Sequence, residues 1–208
     1  MVVSMSDVAR RPVIPVIAVD DVETGIGLAG ALVEGGLDVL EVTLRTPAAL
    51  DAIAAMVERF PEAIVGVGTV RRPEDVAPAL RRGAQFVVTP GTPARLADAL
   101  AEIDVPVLPG CATASEAMAL ADRGFSTLKL FPAEASGGTA MLKGLAGPLP
   151  DLAFCPTGGV SPANAPDYLA LSNVVCVGGS WVVPGDAVRA KDWARITDLA
   201  RQAAALRT

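Results

Sequence analysis

Residues 39–47 read Val39-Leu40-Glu41-Val42-Thr43-Leu44-Arg45-Thr46-Pro47, a short apolar run that ends in a polar turn and a proline. A nearly continuous run of aliphatic and β-branched residues is typical of a strand buried on both faces, as in a parallel sheet. The Thr-Pro pair is typical of a helix start, because proline suits the first helical position. An Ala-rich segment of helical period follows. The stretch therefore predicts one β-strand followed by one α-helix.

The same strand–helix unit recurs eight times along the chain. Residues at successive predicted strand ends are between 19 positions (Gly110 to Lys129) and 29 positions (Lys129 to Gly158) apart. Nearly regular spacing of this kind indicates repeated βα units. The predicted strands are Val13–Val19, Val39–Leu44, Ile64–Val70, Phe86–Thr89, Val107–Pro109, Thr127–Phe131, Ala153–Pro156 and Val174–Val177.

Proline and glycine mark the predicted helix boundaries. Polar residues before a proline predict four helix starts, at Thr46-Pro47, Arg72-Pro73, Thr92-Pro93 and Ser161-Pro162. Glycines predict three helix ends, at Gly35-Gly36, Gly83 and Gly124. Glycine is common just after a helix because it adopts the left-handed backbone conformation at no steric cost.

Eight regular units favour an α/β fold, a single-domain (β/α)8 TIM barrel over residues 1–208, with residues 1–11 as an N-terminal extension. The alternative is an open flavodoxin-like sheet, since 208 residues is short for a barrel. A dinucleotide-binding fold is not expected. It would need G-x-G-x-x-G after the first strand, whereas Gly66-Val67-Gly68 comes late and lacks the third glycine.

Composition excludes several classes of function. The formal charge is -6 and the basic residues are scattered, which argues against nucleic acid or an anionic membrane as a partner. The chain contains no histidine, and so lacks the commonest general base and the commonest metal ligand. We therefore expect no metal and no cofactor, and chemistry that depends on lysine, carboxylates, hydroxyls and backbone amides.

The cysteines and the N-terminal residues predict a cytoplasmic protein. Cys111, Cys155 and Cys176 are odd in number and lie in apolar segments, which is typical of reduced core thiols rather than of disulfides. Residues 1–19 lack the long apolar region and cleavage site of a secretory signal, and later apolar runs are too short to span a membrane.

Lys129 is the strongest candidate for catalysis. Only three lysines occur, and Lys129 alone lies within an apolar strand, Thr127–Phe131. Side chains alternate along a strand, so if Leu128 and Leu130 face the helices, Lys129 points into the barrel. Burial disfavours the ammonium form and so favours the neutral amine that attacks a ketone. The alternative is a structural ion pair with a buried carboxylate.

Glu41 and Arg45 lie on the second predicted strand and at its end. Glu41 interrupts an apolar run and shares a face with Val39 and Thr43, which makes it a candidate acid and base inside the barrel. Its alternative role is a buried ion pair with Lys129 or Arg45, without catalysis. Arg45 could hold a substrate carboxylate through two hydrogen bonds, although an arginine in a loop is more often a solvated charge.

The ends of the last two predicted strands are rich in glycine. Residues 157–162 read Thr157-Gly158-Gly159-Val160-Ser161-Pro162, and residues 178–181 read Gly178-Gly179-Ser180-Trp181. Loops after strands seven and eight of a barrel commonly bind phosphate, because their backbone amides can approach an anion closely. The alternative is that these glycines only permit tight turns.

Three further strand ends face the same mouth of the predicted barrel. Thr69 offers a hydroxyl and Pro90 an exposed carbonyl, and either could position substrate or water. Cys111 lies nearby but has no cationic neighbour that would favour its thiolate, so we interpret it as a packing residue.

Four segments carry a family resemblance: Leu40–Thr46, Val65–Val70, Leu128–Glu134 and Phe154–Asn164. In order and spacing they closely resemble 2-keto-3-deoxy-6-phosphogluconate (KDPG) aldolase, a class I family whose members include bifunctional 4-hydroxy-2-oxoglutarate aldolases. The likeness runs from about Pro12 to the C-terminus. It implies a (β/α)8 barrel lyase, typically a homotrimer of the Entner–Doudoroff pathway, that splits KDPG into pyruvate and glyceraldehyde 3-phosphate.

The resemblance also implies roles for individual residues. Lys129 would form the Schiff base and Glu41 would shuttle protons. Arg45 and Thr69 would bind the pyruvyl portion, and Phe131 would form a wall of the pocket. The distal end of the substrate and its phosphate would be bound by Thr157, Gly158, Gly159, Gly179 and Ser180.

One segment departs from the gluconate pattern. Pro109-Gly110-Cys111-Ala112-Thr113 resembles the sister enzymes that act on 2-keto-3-deoxy-6-phosphogalactonate, which differs at C4. Two alternatives from other classes also stay open: a barrel isomerase or decarboxylase for another sugar phosphate, and a non-catalytic barrel that binds a phosphorylated ligand.

Overall fold

A computed structural model describes residues 3–206 of the chain, and its strands form a parallel sheet that curls into a barrel. The strands are β1 (Val13–Ile17), β2 (Val39–Thr43), β3 (Ile64–Gly68), β4 (Val87–Val88), β5 (Val107–Leu108), β6 (Gly110–Cys111), β7 (Thr127–Leu130), β8 (Ala153–Pro156) and β9 (Val177–Gly179).

Most of the helices connect successive strands and pack on the outside of the sheet, whereas α1 precedes β1 and contributes Val8 to the barrel interior. They are α1 (Met5–Val8), α2 (Val22–Glu34), α3 (Ala49–Arg59), α4 (Val76–Arg81), α5 (Ala94–Ala101), α6 (Ala114–Ala121), α7 (Gly138–Ala146), α8 (Ala165–Leu169), α9 (Gly185–Arg189) and α10 (Trp193–Ala204), with a 3-10 turn at Pro73–Asp75. Within residues 3–206, none of these helices has the length and apolar character needed to cross a membrane.

The order of the strands shows how the sheet closes. One set pairs in the order β5-β4-β3-β2-β1-β9 and the other in the order β6-β7-β8. Only Pro109 separates β5 from β6, so together they occupy the fifth position of the barrel. Bridges from Phe154 to Val174 and from Thr157 to Gly178 join β8 to the segment that contains β9. The predicted eightfold α/β barrel is therefore confirmed, and the open sheet is not found.

Seven of the eight predicted strands begin within one residue of the observed ones, but the last prediction is displaced. Residues 174–177 were predicted, whereas β9 spans Val177–Gly179. Pairing with β1 begins where Val177 meets Val13 and continues through the glycines. These glycines suit a strand here because the side chains of Thr157 and Trp181 occupy the space that a Cβ would need.

Three predicted helix starts are also misplaced. The helix after Thr46 begins only at Ala49, because the Thr46 hydroxyl donates to the carbonyl oxygen of Val19 instead of capping the helix. The Thr92 hydroxyl likewise donates to the Gly110 carbonyl, and α5 begins after Pro93. The helix predicted from Ser161-Pro162 begins at Ala165.

The helix start predicted at Arg72-Pro73 coincides with the 3-10 turn at Pro73–Asp75, which leads directly into α4 at Val76. The predicted helix ends are confirmed as well. Gly36, Gly83 and Gly124 each follow a helix with a φ near +90°, at 92°, 88° and 89° respectively.

The buried apolar residues form two clusters, one on each face of the sheet. The larger cluster lies between the sheet and the helices and includes Leu40, Val42, Leu128 and Leu130. The smaller cluster fills the barrel interior with residues such as Val39, Ile64 and Phe86, and Val8 of α1 joins it without any solvent exposure. The amino end of the barrel is therefore closed by an apolar plug, and polar interior positions lie nearer the carboxyl ends of the strands.

Candidate active site

Lys129 lies in the middle of β7 and points into the barrel. Its neighbours Leu128 and Leu130 pack outward against the helices, so alternation along the strand turns Lys129 inward, as predicted. In the sheet it is level with Gly110 on one side and Cys155 on the other. A Cβ on Gly110 would lie 2.5 Å from the Pro90 carbonyl carbon, so the glycine lets the end of β4 approach β6 closely. The apolar interior cluster lies beneath Lys129, and the mouth of the barrel lies above.

Glu41 on β2 reaches the same interior space from across the barrel. The Lys129 Nζ donates a hydrogen bond of 3.2 Å to Glu41 Oε1, and the side chains are only 6% and 4% exposed. A glycine makes this approach possible. A Cβ at position 68 would lie 2.2 Å from Glu41 Oε1, so any larger residue on the neighbouring strand would displace the carboxylate.

The pair offers two functions in one dry compartment. A lysine amine can add to a carbonyl carbon, and a carboxyl group within hydrogen-bonding distance can move protons to and from the adduct. The Phe131 ring borders the compartment, with its centroid 5.5 Å from Lys129 Nζ. An apolar wall of this kind excludes water and strengthens the interaction between the two charged groups.

Three other predicted site residues lie at the carboxyl ends of β2, β3 and β4. The guanidinium of Arg45 is exposed and makes no hydrogen bond or ion pair within residues 3–206, which leaves its donors available to an anion. Thr69 has a φ of 60°, a left-handed conformation unusual for a β-branched residue. Pro90 lines a cavity of about 560 Å³ together with Arg71, Thr92 and others.

The glycine-rich loop after β8 lies beside the loop that follows Lys129. Gly158 and Gly159 have φ values of 94° and 81°, so both positions favour glycine. A Cβ on Gly158 would lie 3.2 Å from the Phe131 ring, which places this loop directly against the wall of the lysine compartment. Thr157 is buried and packs against Gly178 of β9.

The second glycine-rich segment differs from the first. Gly179 is buried, and a Cβ there would lie 1.9 Å from the Trp181 ring, so glycine is required for packing at this position. Ser180 is exposed next to it. Trp181 had no role in the sequence prediction, although an aromatic residue two positions after a glycine pair is a signal that could have indicated such packing.

The sequence also gave no role to Glu134 or Tyr168. The Tyr168 hydroxyl donates a hydrogen bond to Glu134 Oε1. Tyr168 has no solvent exposure, and burial, together with the adjacent Glu134 carboxylate, raises the pKa of its hydroxyl. The contact joins the loop after β7 to α8, which follows the glycine-rich loop.

Cys111, Cys155 and Cys176 are all buried. Burial, with a smaller contribution from the Glu116 charge, raises the pKa of the Cys111 thiol to about 12. The prediction of a packing role for Cys111 agrees with this environment, because the thiol stays protonated at neutral pH. Among residues 3–206, no three His, Cys, Asp or Glu side chains converge in a way that could hold a metal ion.

The chain folds as a single-domain α/β barrel that buries the Lys129–Glu41 pair in its interior, toward the carboxyl ends of the strands. Residues 5–199 match the family model described as KDPG and KHG aldolase. The chain belongs to this family.

Individual relatives agree over almost the whole chain. A protein of Escherichia coli strain K12 named KHG/KDPG aldolase is 53% identical over 192 residues, which cover 92% of this chain and 90% of the relative. A Pseudoalteromonas atlantica protein named 2-dehydro-3-deoxy-phosphogluconate aldolase is 50% identical over 98% of this chain and 95% of its own length.

A solved structure agrees in shape as well as in sequence. The KDPG aldolase of Legionella pneumophila, crystallised with pyruvate captured as a covalent carbinolamine intermediate, superimposes with a TM-score of 0.95. It is 42% identical, and the match covers 98% of this chain and 99% of the Legionella chain.

Proposed function

We propose that this protein is a class I aldolase that cleaves 2-keto-3-deoxy-6-phosphogluconate into pyruvate and glyceraldehyde 3-phosphate. The observation that carries the proposal is the buried pair of Lys129 and Glu41, with Nζ and Oε1 3.2 Å apart inside the barrel. An amine and a carboxyl group so placed suit imine chemistry, and they do so without histidine. The names of the relatives support the choice of substrate.

The reaction begins when the Lys129 nitrogen attacks the C2 ketone to give a carbinolamine. Loss of the oxygen as water leaves an iminium between C2 and the lysine nitrogen. Cleavage of the C3–C4 bond then sends its electron pair toward this nitrogen and forms an enamine, while the C4 hydroxyl loses its proton and becomes the aldehyde.

Glu41 accepts the C4 hydroxyl proton, directly or through one water, and returns a proton to C3 of the enamine. Its position inside the barrel, away from bulk water, suits a group that changes between acid and base in each turnover. Addition of water to the resulting iminium releases pyruvate and regenerates the free amine.

The remaining predicted residues divide between the two ends of the substrate. Arg45 and Thr69 bind the pyruvyl carboxylate end, with the Pro90 carbonyl positioning substrate or water, and the free guanidinium of Arg45 supports this assignment. The distal end and its phosphate bind along the other side of the mouth, against Thr157, Gly158, Gly159, Gly179 and Ser180. Positive φ values at Gly158 and Gly159 support close approach of an anion to the backbone.

Covalent trapping tests the proposed lysine. Incubation with pyruvate and borohydride should add a reduced pyruvyl group to Lys129, detected by peptide mass spectrometry. Label on another residue, or no label, would contradict the proposal. A non-catalytic phosphate-binding barrel predicts instead that Lys129→Ala still binds ligand and that the wild-type protein shows no turnover. An isomerase or decarboxylase would release no pyruvate in a dehydrogenase-coupled assay.

The two epimeric substrates should be compared side by side. The Leu-Arg-Thr-Pro and Phe-Pro-Ala-Glu segments favour the gluconate epimer, whereas residues 109–113 favour the galactonate epimer. We expect higher kcat/KM for the gluconate substrate, in agreement with the names of the relatives. Cleavage of 4-hydroxy-2-oxoglutarate into pyruvate and glyoxylate should be assayed in the same series.

We further propose a homotrimer that acts in the cytoplasm. Family resemblance supports the trimer, and so does an outer apolar surface where Met118 is 54% exposed beside Leu149 and Pro150. Light scattering should give three times the chain mass of 21.2 kDa. The buried free thiols of Cys111 and Cys155 suit a reducing compartment.

A further inference from the structure

The loop after β7 and the glycine-rich loop after β8 are joined by backbone hydrogen bonds. The Ala133 N–H donates to the Thr157 carbonyl at 2.8 Å, and the Glu134 N–H donates to the Gly158 carbonyl at 3.1 Å. The segment that follows Lys129 is therefore hydrogen-bonded along the Gly158–Gly159 loop, to which we assign phosphate binding.

The Glu134 side chain adds a further contact between the two loops. A Cβ on Gly159 would lie 2.5 Å from the Glu134 Cγ, so the side chain packs directly over the glycine. Asn164 holds the loop from its other end, where its side-chain amide donates to the Gly159 carbonyl at 3.1 Å. Gly159 is thus in contact with the side chains of both Glu134 and Asn164.

Tyr168 fixes the Glu134 carboxylate. The tyrosine lies on α8, has no solvent exposure and directs its hydroxyl at Glu134 Oε1. The environment that raises the pKa of this hydroxyl keeps it protonated, and therefore a donor, throughout the physiological range. A hydrogen bond from a buried donor to a charged acceptor is among the stronger kinds in proteins.

We infer that Glu134 and Tyr168 are a positioning pair that sets the Gly158–Gly159 loop at the distance from Lys129 that a phosphorylated substrate requires. The inference rests on the proposed function, because it assigns the distal phosphate to this loop. Neither residue touches the reacting atoms. The pair therefore controls binding of the phosphate end and leaves imine formation at Lys129 unchanged.

Two conservative variants test the pair. Tyr168→Phe removes only the hydroxyl, from the one tyrosine in the chain, and Glu134→Gln removes only the charge. For each, KM for the phosphorylated substrate should rise roughly tenfold. The kcat on unphosphorylated 4-hydroxy-2-oxoglutarate and the rate of borohydride trapping with pyruvate should both stay within about twofold of wild type.

Thr197→Val is the matched control. Its buried hydroxyl donates at 3.1 Å to the carbonyl oxygen of Ala31, far along the chain from the site, so the variant also removes one buried hydroxyl. Its KM should not change. The preference for the phosphorylated substrate is the ratio of its kcat/KM to that of the unphosphorylated substrate. The positioning role alone would be overturned if both test variants kept the wild-type ratio. It would also be overturned if the KM of the control rose as much as theirs. A wild-type enzyme without preference for the phosphorylated substrate would remove the phosphate assignment itself, and the positioning role with it.

Discussion

Two ion pairs lie at opposite ends of the barrel strands, and they differ in how many partners hold each charge. At the amino end, just before β2, the Asp38 carboxylate accepts two hydrogen bonds of 2.8 Å from Arg11 and lies 2.9 Å from Arg10. Nearer the carboxyl end, Lys129 and Glu41 share a single hydrogen bond of 3.2 Å. The better-paired charge is the more exposed one.

This difference agrees with a structural role for the Asp38 ion pair and with the proposed catalytic role of Lys129 and Glu41. Burial raises the pKa of Asp38, but the two guanidinium groups outweigh it and hold that pKa below its usual range. These contacts stabilise the Asp38 carboxylate, and they link Arg10 and Arg11, before β1, to the start of β2. The buried Lys129–Glu41 pair has one hydrogen bond, which offsets little of the cost of removing both groups from water. A contribution to the stability of the fold therefore does not explain why the pair is present. Lys129 and Glu41 keep bonding capacity for a substrate.

The comparison is tested most strongly by Lys129→Ala. Loss of the amine removes the only proposed route to an imine, so turnover should fall by at least about 10³-fold. Borohydride should no longer attach pyruvate to the protein. Lys143→Ala is the control, because Lys143 lies exposed at the end of α7, and it should retain wild-type activity and labelling. Equal loss in both variants would contradict a special role for Lys129.

Glu41→Gln should reduce turnover by about 10²-fold, since it keeps the shape of the side chain but cannot take a proton. The defect should lie in proton transfer rather than in imine formation. Exchange of pyruvate methyl protons with deuterated water, followed by NMR, should slow to the same extent, while trapping with borohydride persists. Undiminished exchange would show that another group moves the proton.

Asp38→Asn should act on stability instead of activity. Loss of the charge paired with Arg10 and Arg11 should lower the free energy of unfolding by about 1 kcal/mol at pH 7, after allowance for solvent screening, and leave kcat unchanged. Asp198→Asn, which removes an exposed pair with Arg201, is the control and should change stability much less. A fall in kcat in the Asp38 variant would contradict the purely structural role that we assign to the ion pair at the amino end.

The pH dependence of the Asp38 effect has a definite sign. The folded pKa lies below the usual value of about 3.9, so the stabilisation is complete above that value and is lost as the pH falls through the folded pKa. The difference in unfolding free energy between wild type and Asp38→Asn should therefore shrink below about pH 4 in urea titrations. A difference that persists unchanged at lower pH would contradict this account.

Cys111→Ala should have little effect on activity. The thiol lies on β6 next to Leu130 of β7, but with its pKa raised to about 12 it is not a nucleophile at neutral pH. The kcat should stay within about twofold of wild type, with a stability loss of about 1 kcal/mol. In the wild-type protein, iodoacetamide at pH 8 should label Cys111 only after unfolding. Rapid labelling of the native thiol would show that the site is more open than the structure indicates.

The sequence was sufficient for the barrel and for the central pair. Polar residues inside apolar strands are rare, so Lys129 and Glu41 stood out, and alternation along β2 and β7 turned both inward. Boundaries governed by tertiary contacts were less predictable. Thr46 resembles a helix cap in sequence, yet its hydroxyl bonds to the carbonyl of Val19, a residue on another strand–helix unit.

The supporting residues of the site could not be found from local patterns. Gly68 is needed because Glu41 extends over it from the neighbouring strand, and Gly179 because the Trp181 ring covers it. Glu134 and Tyr168 are 34 positions apart and meet only when the barrel closes. Such contacts depend on which side chains face each other across strands and loops, and neither propensity nor periodicity contains that information.

Among residues 3–206, the apolar plug that includes Val8 fills the amino end of the interior, and the polar pair lies toward the carboxyl ends of the strands. Water that hydrolyses a lysine-bound intermediate must then arrive by the path that the departing aldehyde has just used. While the aldehyde occupies that path, water cannot reach the lysine-bound intermediate. The closed amino end of the barrel therefore requires that the aldehyde leave before pyruvate is released.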